Sequence, residues 1–247
     1  MTTPHPGVLA IWHDIEPGRR DEVLRWYDHE HHAERIGIPG FVRARRHSAR
    51  AGGPELFIYY ETESVEVLGS PDYLWRVDNP TDWTRNTMRH FRANVRSACR
   101  VVHRSAGPDG AYVGTARLRP VPGQAASLRE RLVRQLFPQL REGRTLLGTQ
   151  LWEADPELTT IHSAERNLRQ VPDRTVDWVI VVSASTPEAV DASLAGPLSP
   201  AALEALGAAP GAITGAYRLD FVLEGDRLPK GSAGSPAQES LPTATKA

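Results

Sequence analysis

Residues 7–41 read GVLAIWHDIEPGRRDEVLRWYDHEHHAERIGIPGF, and the order of signals within them decides the fold. An apolar run over residues 7–14 stops at Glu16-Pro17-Gly18, which punctuates it as a strand. From Arg19 to about Arg35 no proline or glycine interrupts the chain, and Leu24, Trp26 and Tyr27 lay down a helical stripe. Pro39-Gly40 then turns into a second extended segment, residues 41–48, where Phe41, Arg43, Arg45 and His47 alternate with Val42, Ala44 and Arg46.

Outward from this stretch, Gly52-Gly53-Pro54 leads into LFIYYE at residues 56–61, rich in aromatic and β-branched side chains and read as a third strand closing a hairpin. Residues 64–69 are expected as a helix. Residues 70–89 carry Pro71, Pro80, Tyr73, Trp75 and Trp83 and are expected as loop and short helix, a natural lid over a pocket. Residues 93–104 form a long fourth strand. The order strand, helix, strand, strand, helix, strand is the split β-α-β plan of a ferredoxin-like unit.

The second half repeats the plan. Residues 112–118 read as a strand, Pro122-Gly123 punctuates it, and Leu128, Leu132, Leu136 and Leu140 stripe a helix over residues 125–141, which Pro138 is expected to kink or end. Strands at 146–153 and 177–185, a helix at 187–194 and a strand at 213–224 complete it. Glu63-Ser64-Val65-Glu66 and Ser185-Thr186-Pro187-Glu188 both lead from strand three into helix two. The chain therefore divides into repeats at residues 7–106 and 110–225, the first carrying the site and the second structural. Residues 1–6 and the Pro/Ser/Ala/Thr-rich tail at 226–247 are expected to be disordered, and the polar insertion at 154–176 to be a surface excursion.

The expected class is α+β: tandem ferredoxin-like repeats whose antiparallel four-stranded sheets, helix-covered on one face, pack their other faces together as a barrel within one chain. This plan resembles the dimeric α+β-barrel superfamily, with two repeats fused so that one chain makes the barrel usually made by two. Through the His-bearing first helix followed by Pro39-Gly40-Phe41, the first repeat resembles its EthD-like branch. The resemblance implies a small-molecule protein, because the superfamily's members include isomerases, cyclases, cofactor-free oxygenases and haem enzymes.

Composition narrows the partners. The 29 basic and 30 acidic side chains nearly cancel, and no lysine-rich block offers a surface to nucleic acid. The single cysteine, Cys99, allows no internal disulfide and reads as buried and inert. With no leader-like start and no apolar run near the roughly 20 residues of a membrane span, a cytoplasmic protein is expected. No phosphate-cradling glycine loop or nucleotide fingerprint is present.

The chemistry concentrates at Arg25–Phe41. At about 100° per residue, Tyr27, Glu30, His31 and Glu34 share the face of Val23, whereas His29 and His32 point away with Arg25. Carboxylates and a histidine on a core-facing stripe suggest a lined cavity, since unpaired buried charge is costly. His31 is the expected general acid or base, with Glu30 or Glu34 orienting its ring. Were the helix to fray after Tyr27, the cluster would instead be solvated. A metal site is not expected, because adjacent His31 and His32 diverge and Tyr27 occupies the position a turn before His31.

Trp12, Arg43, Tyr60 and Trp83 are the expected substrate contacts. Trp12 and His13 point to opposite faces of their strand, and His13 is expected exposed or at the barrel interface. Arg43 and Arg45 suit an oxyanion, and one of Tyr59 and Tyr60 offers a phenol. The second repeat sets Arg131, Arg134 and Gln135 against Tyr27, Glu30 and His31, and its sole histidine, His162, lies in the insertion. The expected function is acid/base chemistry of the isomerase, lyase or cyclase type on an apolar or aromatic carbonyl compound, without a cofactor. Cofactor-free oxygenation, haem bound through one histidine, and a non-catalytic small-ligand module remain alternatives, as does a homodimer.

Overall fold

In the computed structural model, which describes residues 5–143, 145–169 and 172–227, eight strands close into one antiparallel barrel. They are β1 Gly7–Ile15, β2 Phe41–Gly52, β3 Leu56–Thr62, β4 Phe91–Arg104, β5 Tyr112–Leu118, β6 Leu146–Ala154, β7 Trp178–Ala184 and β8 Ile213–Glu224. Around the barrel the order is β1-β3-β2-β8-β5-β7-β6-β4. Each repeat supplies a four-stranded sheet, β4-β1-β3-β2 and β8-β5-β7-β6. The sheets face each other across the lumen and also fuse at their edges, where β2 pairs with β8 from Arg43↔Glu224 to Gly52↔Gly215 and β4 pairs with β6 from Cys99↔Ala154 to Arg104↔Gln150. The expected disordered lead and tail lie outside the described residues, apart from His5 and Pro6, of which Pro6 accepts from the Val101 amide, and Asp226 and Arg227, which end a single 3-10 turn.

Because a closed barrel with covered outer faces leaves strands no wet side, β3 is buried at every position. Alternation along β1 sorts the two environments. Val8, Ala10 and Trp12 enter the lumen, where Trp12 stacks on Phe57 with ring centroids 4.8 Å apart, among Val179, Val181 and Trp152. Leu9 turns outward beneath the helices, with Val23, Trp26 and Tyr27. A separate cluster around Leu128, Leu132 and Phe137 does the same for the second repeat.

The first helix, α1, runs through Arg20–Trp26, a π-helical turn Tyr27–His31, and His32–Ile36. The turn is visible in the bond from the His32 amide to the Tyr27 carbonyl, five residues back. Beyond it, Gly40 takes φ +87° to turn into β2, a conformation that side chains avoid. The second repeat copies the device: α4 runs through Ala125–Arg131, a π turn Leu132–Leu136 and Phe137–Glu142. Pro138 neither ends nor breaks it, since it sits at the first turn of the segment that follows the π turn.

Residues 65–69 form a 3-10 helix where an ordinary helix is expected, and residues 70–89, expected as loop and short helix, hold two short helices, α2 Pro71–Asp78 and α3 Asp82–Met88. Ser70 and Thr81 cap them by accepting from the amides of Tyr73 and Thr84, and Pro71 sits where a helix tolerates proline. The insertion is no surface excursion. It carries α5 Pro156–Thr160 and α6 Ala164–Asn167 and is stitched to β4 by the bonds Arg96 N to Arg174 O and Arg174 N to Asn94 O. After it come α7 Pro187–Ala195 and α8 Pro200–Ala205. No helix among the described residues is long and apolar enough to cross a membrane.

A shared lumen makes the two repeats one cooperative unit. Phe57, fully buried where the two sheets meet, is the test: Phe57→Ala is expected to lower unfolding free energy by about 3–5 kcal/mol. Urea unfolding followed by tryptophan fluorescence and by circular dichroism should give one coincident transition, and two resolved transitions would show that the repeats fold independently.

Candidate active site

A cavity of about 30 Å³ lies between the outer face of the first repeat's sheet and the helices that cover it. Leu9, Ile11 and Tyr60 form its floor and Phe91 and Asn94 one wall; Tyr27, His31 and Arg35 descend from α1, and Ser163, Glu165, Arg166 and Arg169 of the insertion form its roof. A single water needs roughly 10–15 Å³ by the same measure, so in this closed form the cavity holds water-sized occupants. The roof comes from the insertion of the second repeat.

The π turn is what populates this cavity. One extra residue per turn brings His31 and His32 both inward, at 3% and 0% exposure, whereas an unbroken α-helix would have turned His32 to solvent as the sequence led us to expect. His29 stays exposed. His31 stacks on Trp26 with centroids 4.1 Å apart and meets Tyr27 and Tyr60 edge-on. Its Nδ1 is buried without a hydrogen-bond partner, and Glu34 Oε2 lies 3.9 Å away. Burial holds the imidazole neutral, its pKa well below the ordinary 6.5, with the Arg35 guanidinium and His32 pushing the same way.

Two phenols are held by two further histidines. His13 Nδ1 lies 3.0 Å from the Asp14 carbonyl, so it carries the ring proton, and the Tyr27 hydroxyl donates to His13 Nε2 at 2.9 Å. His13 also stacks on Phe91, with centroids 3.8 Å apart, and burial depresses its pKa to about 4. His32 Nδ1 lies 2.9 Å from the Tyr60 hydroxyl, while its Nε2 is buried without a partner. Burial raises both phenols far beyond their ordinary range, so each keeps its proton.

The charges are asymmetric. Arg35 binds Glu165 of the roof through Nη2, and its Nη1 is buried without a partner. Burial alone would discourage its charge, but the Glu165 carboxylate outweighs that and keeps it protonated. Arg96 donates to Tyr73 Oη at 2.7 Å, and Arg169 makes two bonds of 2.6 Å to Asp173. Among the described residues no group of three His, Cys, Asp or Glu side chains is arranged to hold a metal.

Of the residues singled out from sequence, His31, Tyr27 and Tyr60 come together here. Glu34 stands beside His31, its other oxygen paired with Arg76 at 3.1 Å and its pKa raised by burial. Glu30 does not orient His31: it accepts from Trp26 Nε1, Thr81 and Thr84 and fastens α1 to α3. Trp12 faces the lumen by strand alternation, Arg43 is spent on Glu61, Asp109 and Glu224 beside β8, and Trp83 packs against the helix layer while its neighbour Met88 reaches the cavity. The sequence reading missed His13, His32, Arg35 and Glu165. Strand alternation could have found His13, which must oppose Trp12; nothing local marks the π turn or the long-range arrival of Glu165.

The second repeat fills the same positions differently. Matching the two π turns sets Leu132, Leu136, Phe137 and Leu140 against Tyr27, His31, His32 and Arg35, one residue on from the correspondence drawn from sequence. Strand pairing sets Leu118 against His13 and Val182 against Tyr60. All six are buried and apolar.

No family model matches the chain, and no curated protein sequence matches it. Among solved structures it is similar to an anthrone oxidase-like protein, with TM-score 0.58 and 14% identity over 94% of this chain and 96% of that one. It is also similar to a Lactobacillus acidophilus protein assigned by inference to the monooxygenases, with TM-score 0.56 and 9% identity over 90% and 97%, and to a protein assigned likewise to the chlorite dismutases, with TM-score 0.51 and 9% identity over 88% and 96%. At such identities the likeness speaks for the fold. In this closed form His31, packed against Trp26, Tyr27 and Tyr60 in a cavity of about 30 Å³, has no room beside it for a haem, one of the alternatives raised by the sequence.

Buried neutral histidines give the fold an acid sensitivity. His13, His31, His32 and His47 are uncharged when folded and have ordinary values near 6.5 when unfolded. Below that pH the unfolded chain takes up protons that the fold refuses, so stability falls as pH drops from 6.5 toward about 4, the folded value of His13. Each histidine contributes at most ~1.4 kcal/mol per pH unit. Urea midpoints measured across this range are expected to decline, less steeply in His13→Gln than in the parent. Equal slopes would place His13 in contact with solvent.

Proposed function

Taking as premise that the chain carries the fold of the dimeric α+β-barrel superfamily, with both repeats in one polypeptide, we propose that it is a small-molecule enzyme that abstracts a proton from an acidic C–H of an apolar or aromatic carbonyl compound. His31 is the base, and the oxyanion that develops on the carbonyl oxygen is met by Arg35 Nη1. One observation carries this reading: a neutral imidazole with an unmatched nitrogen and a guanidinium with an unmatched nitrogen line one small cavity, whose walls combine Tyr27, Tyr60, Tyr73 and Phe91 with Arg96, Arg166 and Arg169. Neutrality suits a base, because a histidine already protonated at pH 7 accepts nothing. A fixed cation at the carbonyl oxygen lowers the barrier to enolate formation in a water-poor site.

The other groups divide the remaining work. Tyr27, its own proton committed to His13, presents oxygen lone pairs. With His32 Nδ1 protonated and donating to Tyr60 Oη, the Tyr60 hydrogen is left for the ligand. Glu34, 3.9 Å from His31 Nδ1, steadies the imidazolium once it forms. Admission of a substrate requires the roof to swing away, which separates Arg35 from Glu165 and leaves the guanidinium to the substrate's oxygen.

The fate of the enolate sets the outer reaction. Reprotonation at a second carbon is isomerisation, loss of a leaving group is a lyase reaction, and attack within the substrate is cyclisation. The aromatic side chains of the cavity suit a second outcome, in which a carbanion stabilised by an aromatic system reduces dioxygen directly. For an anthrone, the methylene carbanion and dioxygen form a hydroperoxide at that carbon; loss of its remaining C–H proton with cleavage of the O–O bond leaves the ketone, so that one dioxygen yields one quinone and one water.

Anthrone and aryl methyl ketones are suitable probes, with exchange of the acidic C–H for solvent deuterium read by NMR and dioxygen uptake by electrode. His31→Gln is expected to cut kcat for exchange by ~100-fold or more while KM changes little; undiminished exchange would sink the assignment. Because His31 stays neutral below its ordinary 6.5, the acid limb of kcat/KM should fall below pH 6.5. Exchange that persists anaerobically while uptake is absent in air identifies the non-oxidative branch.

A further inference from the structure

A second cleft, of about 310 Å³, opens at one mouth of the barrel, lined by Arg117 at the end of β5, Arg119, Arg174, Val176, Pro210 and Ile213. Its volume is at the lower end of small-molecule sites. β4 separates it from the cavity under the helices: Asn94 and Arg96 line that cavity, and Val95 between them lines the cleft. Nothing in the proton-transfer chemistry uses it.

Arg117 is the feature that needs a partner. It is 8% exposed, and its guanidinium makes no hydrogen bond or ion pair among the described residues. It lies over the Trp12 ring, with Cζ 5.1 Å from the centroid. The indole N–H of Trp12 is itself buried without an acceptor. Asp14, the carboxylate that acts on Arg117 from a distance, gives Oδ1 to the Glu55 amide. Arg174 adds a like charge nearby, and burial together with that charge works against the protonated form of Arg117. A largely buried cation without a direct ion pair, beside the two exposed cations Arg119 and Arg174 and with only Asp14 and Asp177 as nearby carboxylates, is an arrangement that leaves room for an anion.

We propose that this cleft is a second ligand site, which binds a small carboxylate with an apolar body. The carboxylate lies against Arg117, with Arg119 and Arg174 at the rim, and the apolar part rests on Val95, Val176 and the exposed Ile213. Guanidinium forks match carboxylate geometry. The apolar lining excludes free phosphate or sulfate as the preferred guest, because neither would cover Ile213, which is 48% exposed.

The test uses the full chain with phenylacetate as probe and phenylacetamide as its uncharged counterpart, read through the Trp12 indole N–H resonance, which is assigned by Trp12→Phe. Phenylacetate is expected to shift that resonance saturably, and phenylacetamide is not. Arg117→Leu should weaken binding by at least ~10-fold, and the surface pair Arg119→Ala with Arg174→Ala, which leaves the lumen intact, should weaken it in the same direction. His31→Gln should bind phenylacetate as tightly as the parent. The proposal is overturned if both probes shift the resonance alike, if neither does, if the arginine variants bind undiminished, or if binding is lost in His31→Gln.

Discussion

Barrel closure is the constraint on which the rest of this structure depends. Once β2 has paired with β8 and β4 with β6, no sheet edge is left to extend, and every strand must satisfy a lumen on one side and a helix layer on the other. Strands such as β3 and β7 are therefore buried at every position or all but one. Polar side chains can enter this architecture only in pockets that the helices or the barrel mouths create. Both sites argued above, one under α1 and one at the end of β5, are of that kind.

The element order was legible because each boundary has a local cause. Pro17-Gly18, Pro39-Gly40, Gly52-Gly53-Pro54 and Pro122-Gly123 act on φ and on hydrogen bonding within a few residues, so their effect needs no knowledge of the fold. The same residues misled where context reverses their meaning. Pro71 and Pro80 read as breakers, yet Pro71 follows the Ser70 cap into α2 and Pro80 precedes the Thr81 cap of α3. Helical phase placed His31 and Tyr27 with Val23, but a phase computed at a constant turn could not place His32. The π turn is a backbone feature with no residue signature, and it is repeated at Leu132–Leu136 in quite different sequence. Glu165 is beyond any local reading, because it reaches Arg35 across 130 residues of chain.

Burial decides the electrostatics. In water His13, His31 and His32 would be partly protonated near neutrality; under the helices desolvation dominates each of them and leaves three neutral rings. Arg35 escapes the same fate because the roof supplies a carboxylate. One ion pair thus couples the position of the roof to the charge inside: removing Glu165 from the cavity opens it to water and exposes Arg35 to whatever anion enters. Coupling of this form requires the insertion to belong to the second repeat and the guanidinium to the first, which a barrel built from one chain permits.

Fusion also allows the two halves to differ, and the difference is informative. Leu118, Leu132, Leu136, Phe137, Leu140 and Val182 occupy in the second repeat the positions of His13, Tyr27, His31, His32, Arg35 and Tyr60, on the same backbone, including the same π turn. The fold therefore does not need the polar set. An apolar set of similar size closes the same layer, whereas the polar one leaves His31 Nδ1, His32 Nε2 and Arg35 Nη1 buried without partners, each unmet group costing roughly 1–3 kcal/mol. Four of the six polar residues, Tyr27, His31, Arg35 and Tyr60, line the cavity, so on the proposed function the unmatched atoms of His31 and Arg35 are the ones that would meet an occupant: one would take its proton and the other its negative charge.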